Sequence, residues 1–149
     1  MRNVKNLHRI SIARAFVLTS MSGCKTGNTT YLAPLVKALE LEKLLKEDKN
    51  CDIVICLSHL GYRYSDKKIS DIVLAKNTNY IDLIIGGHTH TFLDIPESAR
   101  NLKGKETLIS QVGFAGINLG RIDFHFKRSD SQKISFSSAT EGVKSIFKI

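Results

Sequence analysis

Two short apolar runs constrain this chain more than any other feature: Asp52-Ile-Val-Ile-Cys-Leu57 and Ile81-Asp-Leu-Ile-Ile85. Each is short, rich in β-branched residues and almost uninterrupted, the pattern of a strand buried on both faces. Between them Ser70 can cap a helix of about two turns running through Asp71-Ile-Val-Leu-Ala-Lys76. Strand, helix and strand over this distance make a crossover, so the two strands should be adjacent, central and parallel. Parallel strands offer ligand sites beyond their C-terminal ends. There the first run continues as Ser58-His59-Leu-Gly61 and the second as Gly86-Gly-His88-Thr-His90. Three imidazoles, the commonest transition-metal ligands among side chains, are thus directed to one sheet edge. His88 and His90, two apart in an extended loop, can point the same way. Gly86 and Gly87 allow the tight backbone such a loop needs.

The other elements read around this unit. Pro34 suits the first turn of a helix over 34–48, whose apolar face is Leu35, Ala38, Leu39, Leu41, Leu44 and Leu45. Glu42 and Lys46 are expected to pair on its outer face. Strands follow at Glu106–Val112, Gly120–Phe126 and Lys133–Ser138 with no helices between them, which suggests antiparallel meandering beside the parallel unit. A turn at Gly113-Phe-Ala-Gly116 joins the first two. Cys51 and Cys56 are expected to be buried structural thiols.

A length of 149 residues allows one domain with a real core. The net charge of +8 does not point to nucleic acid. Residues 1–25 alone hold Arg2, Lys5, Arg9, Arg14 and Lys25 without an acid, and the remainder is nearly balanced. No aromatic-basic stacking pattern accompanies it. No apolar run is long enough for a transmembrane segment. Residues 1–30 are read as a basic, disordered leader and 31–149 as the domain. The leader, ending in Met21-Ser-Gly-Cys24, has some likeness to a bacterial lipoprotein signal. Read so, residues 1–24 would place the chain in the cell envelope or periplasm, and otherwise in the cytoplasm.

Taken together, Ser58-His59-Leu-Gly61, Gly86-Gly-His88-Thr-His90-Thr-Phe-Leu93, Gln111-Val-Gly113 and Leu119-Gly-Arg-Ile-Asp123 resemble the calcineurin-like metallophosphoesterases, most closely the bacterial 5′-nucleotidase branch. The resemblance covers about residues 30–126. It implies an α/β fold, with this chain as the C-terminal half of a four-layer α-β-β-α metallophosphatase domain. It also implies hydrolysis of phosphate esters, 5′-nucleotides above all, with two divalent ions (Mn, Zn or Co). His59 and His88 would ligate one ion and His90 the other.

The family's first-half motifs, Asp-x-His, Gly-Asp and Gly-Asn-His-Glu, do not occur before His59, and Gly27-Asn28 is followed by two threonines. Asp123-Phe-His125 spells Asp-x-His but falls in a later strand, where both side chains should share a solvated face. No catalytic residue is therefore assigned to this chain. The expectation is a truncated half that binds at most one ion, is inactive alone and needs a separate polypeptide to complete the site. Its uncovered apolar sheet surface should drive association. The alternative is a non-catalytic metal- or phosphate-binding module using the three histidines alone.

Overall fold

The strand–helix–strand unit forms where its pattern places it. The computed structural model describes residues 18–19, 32–127 and 130–143. Strand β1 (Leu18–Thr19) precedes helix α1 (Pro34–Lys43), which runs on into a π-helical turn over Leu44–Asp48. Strand β2 (Ile55–His59), helix α2 (Asp71–Lys76) and strand β3 (Leu83–Ile85) follow. Then come β4 (Glu97–Arg100), β5 (Glu106–Ser110), β6 (Asn118–Lys127) and β7 (Asp130–Gly142). Ser70 caps α2 as expected, its Oγ accepting from Val73 N at 3.3 Å. The lipoprotein-like Met21–Cys24 stretch lies outside the described residues.

Strand order in the main sheet is β1-β2-β3-β5-β4. β2 and β3 are adjacent, parallel and central, in the register Ile55↔Leu83, Cys56↔Ile84 and Leu57↔Ile85. Two residues of the basic leader take part as well, since β1 pairs in parallel with Ser58 and His59. β5 differs from the expected meander. It lies parallel to β3, because the chain first runs out to the edge as β4 and then turns back through residues 101–105. The antiparallel pairs are β4 with β5 and, in a separate two-stranded sheet, β6 with β7. The Gly113–Gly116 turn enters β6 with positive φ at Gly113, Ala115 and Gly116. The strand expected over Lys133–Ser138 lies within the longer β7.

One face of the sheet carries the core. Val54, Cys56, Ile84 and Ile109 pack with Ala38 of α1 and with Ile72, Leu74 and Ala75 of α2. Burial of this apolar surface is the main stabilising contribution, at roughly 25 cal/mol per Å². The opposite face is not buried throughout, contrary to the reading of two-sided strands. Leu83 and Leu108 are covered, but the register partners Leu57 and Ile85 are 36% and 44% exposed. Cys51 and Cys56 are buried as expected, and burial pushes the Cys56 thiol up to about 12.

Glu42 departs from its expected place outside. It is 2% exposed, and its carboxylate accepts from Asn79 N at 2.8 Å, Asn79 Nδ2 at 3.2 Å and Tyr80 N at 2.8 Å. The carboxylate thereby satisfies part-buried backbone donors just before β3. Lys46 instead donates to Asp52 O at 2.8 Å.

Candidate metal centre

All three histidines reach the C-terminal edge of the parallel strands. His59 is the last residue of β2, while His88 and His90 lie in the loop that leaves β3. That loop is not extended. His88 and His90 have φ of 74° and 53°, in the left-handed region, and Thr89 N donates back to Gly87 O at 3.0 Å. Histidine is among the non-glycine residues that enter this region more readily than most. The two glycines are needed for space rather than for twist. A Cβ on Gly86 would overlap the Asp71 carboxylate, and one on Gly87 would stand 3.0 Å from His59 Nδ1.

Two rings of the three come together. His59 and His88 have centroids 5.2 Å apart, edge to face at 75°. An imidazole bound through nitrogen at about 2.1 Å has its centroid roughly 3.2 Å from the ion, so two rings at a tetrahedral angle sit about 5 Å apart. The pair's spacing therefore suits two positions on one ion. His90 does not join them: its ring is stacked on Phe114 at 4.9 Å and 22°, and Phe114 in turn meets Phe92 at 5.9 Å. Among the described residues, no group of three or more His, Cys, Asp or Glu is placed to hold a metal ion. The described chain thus fits a metal only in part, with two imidazoles and no carboxylate to bridge ions.

Behind the rings lies a buried polar cluster that the sequence did not disclose. Gln111, 1% exposed just after β5, donates through Nε2 to Gly87 O at 2.8 Å and to Asp71 Oδ2 at 3.4 Å. Its Oε1 accepts from Thr91 N at 2.6 Å and Thr89 Oγ1 at 3.0 Å, so every position of the amide is used. Thr89 Oγ1 also accepts from Tyr62 N at 3.0 Å. Asp71 accepts from Ser58 Oγ, and Ser58 Oγ accepts from Leu60 N at 3.2 Å. Burial pushes the Asp71 carboxyl up to about 6, while the bonds from Ser58 and Gln111 hold it down in part. In the sequence Asp71 reads only as an acid in the first turn of a helix, and Gln111 only as part of a family-like Gln-Val-Gly string, with nothing to pair it with Asp71 or the histidine loop.

Asp123 and His125 stand away from this edge on β6. Arg121 Nε lies 2.9 Å from Asp123 Oδ2, and His125 Nε2 is 3.0 Å from Ser137 Oγ. His125 is exposed and Asp123 half-buried.

No family model matches the chain. Among curated proteins it is 38% identical over 84 residues to the trifunctional nucleotide phosphoesterase protein YfkN of Bacillus subtilis, which is 56% of this chain and 5% of that protein. It is 31% identical over 120 residues to an apyrase of Tabanus yao, covering 70% of the chain and 21% of the relative. A 5′-nucleotidase of Vibrio parahaemolyticus is 29% identical over 151 residues, covering 85% of the chain and 27% of the relative. Residues 31–149 make up only about four-fifths of the chain, so that alignment reaches into the basic leader. Of solved structures, the 5′-nucleotidase precursor from Thermus thermophilus superposes with a TM-score of 0.65 at 24% identity, over 76% of this chain and 23% of that one. The Haemophilus influenzae NAD nucleotidase gives 0.60 at 20% identity, over 72% and 20%. The chain therefore spans about a quarter or less of the proteins it matches. Motifs, sequence relatives and fold agree: the chain is related to the 5′-nucleotidase branch of the calcineurin-like metallophosphoesterases and resembles the C-terminal part of their metallophosphatase domain.

Proposed function

We propose that this chain carries the histidine-bearing part of a metal-dependent site that hydrolyses phosphate esters, with 5′-nucleotides as the substrate class. The observation that carries the reading is the meeting of His59 and His88 at one strand edge, with His90 two residues on, in a chain whose relatives are named as nucleotide phosphoesterases and nucleotidases. His59 and His88 would hold one ion. His90 would serve a second after leaving its stack on Phe114. When bound, a pair of divalent ions (Mn, Zn or Co) supplies a water acidified for attack and a clamp on the phosphoryl oxygens. The described residues offer no bridging carboxylate, so the chain's own part is to present imidazoles and to hold them in place. The remaining ligands belong to another segment, on the same polypeptide or a second one.

Complementation tests this reading. The 149 residues alone should show negligible turnover of AMP or an aryl phosphate with Mn²⁺, Zn²⁺ or Co²⁺. Adding the N-terminal part of a related metallophosphatase should restore some, and His88→Ala should abolish it again. Robust turnover by these residues alone, lost on changing His59 or His90, would show instead that the site is complete here.

A further inference from the structure

We infer that Gln111 is the positioning residue that sets the backbone around His88 and His90 from beneath, and that Asp71 ties it to Ser58, next to His59. The inference rests on the metal-site reading for its consequence and on the hydrogen bonds alone for its geometry. Along the loop the odd positions are held inward by one amide: Gly87 through its carbonyl, Thr89 through its hydroxyl and Thr91 through its N–H. The even positions, His88 and His90, fall between these anchors and are exposed. Both have positive φ, which costs of order 1 kcal/mol or more each and persists only where the surroundings enforce it.

The same cluster reaches the other strand. Asp71 takes one bond from Gln111 and one from Ser58, the residue immediately before His59. Its carboxylate occupies the space beneath Gly86, where any side chain would overlap it. One connected, buried set therefore fixes the approach of the β2 end to the β3 loop. Partners of this kind, one shell behind the ligands, typically change metal affinity 10- to 100-fold when removed.

The test uses the full chain with Zn²⁺ as the probe. Gln111→Met keeps the volume and removes every bond. It should retain a cooperative melt while amide exchange at Thr91 speeds up at least tenfold and that at Leu108, in the sheet beyond, does not change. Zn²⁺ affinity by calorimetry should fall 10- to 100-fold. If the unaltered chain takes up no Zn²⁺, the metal-site reading fails while Thr91 exchange still decides the positioning role. Should Gln111→Met not fold, Thr89→Val, which removes one partner of the amide, must speed exchange in the loop, and Thr89→Ser, which keeps the hydroxyl, must leave it unchanged. Unchanged Thr91 exchange, or a uniform rise at every amide, would overturn the inference.

Discussion

At the scale of single residues, the histidines were legible and their supports were not. Gly86-Gly-His88-Thr-His90 announces itself as a string, whereas Glu42, Asp71 and Gln111 find their partners 37, 13 and 40 residues away. Such pairings leave no periodic trace, because a buried polar group is explained only by what the fold brings to it. The extended-loop reading of His88 and His90 failed for a related reason: the bonds to Gln111 set the backbone, not local preference. Asp71 makes a pH prediction. Its carboxyl ordinarily titrates at 3.8 and in the fold at about 6, so between these values the folded chain holds more protons than the unfolded one. Its contribution to stability therefore falls as pH rises from about 4 to 6, by roughly 3 kcal/mol in total. Asp71→Asn should remove this fall. Urea melts of both proteins at pH 4 and 7 check it, and parallel pH profiles would show that Asp71 does not titrate in this window.

At the scale of elements, the β2–α2–β3 unit was legible because apolar runs and a serine cap coincide. β4 was not, since Glu97-Ser-Ala-Arg100 is a polar edge strand with only Ala99 buried. Missing β4 also gave the wrong sense to β5, whose direction follows from the excursion to the sheet edge. Helix α1 was placed correctly, but its orientation depends on Glu42 gripping the backbone at Asn79 and Tyr80. Glu42→Ala would strand these donors, at a cost of about 2–3 kcal/mol. Thermal denaturation should show the loss, with Glu42→Gln recovering part of it through one acceptor. An unchanged melting temperature in Glu42→Ala would mean that α1 is anchored by apolar contacts alone.

For the whole molecule, one face of the sheet carries the core and the other is covered only in part, Leu83 and Leu108 being buried there and Leu57 and Ile85 exposed. The exposed two are paired in register beside the histidine edge. No helix among the described residues is long and apolar enough to cross a membrane. The 149 residues in isolation should self-associate through the Leu57–Ile85 patch. Light scattering should report oligomers, and Leu57→Thr with Ile85→Thr should shift the population towards monomer. A clean monomer of the unaltered chain with a cooperative melt would count against an open half of a larger domain.

The central claim is that the converging histidines hold a divalent ion, and direct titration with Zn²⁺ tests it. Calorimetry on the 149-residue chain at neutral pH should find one ion bound, with affinity lost in both His59→Ala and His88→Ala and reduced less in His90→Ala. Absence of binding, or binding that survives both the His59 and His88 substitutions, would contradict the account.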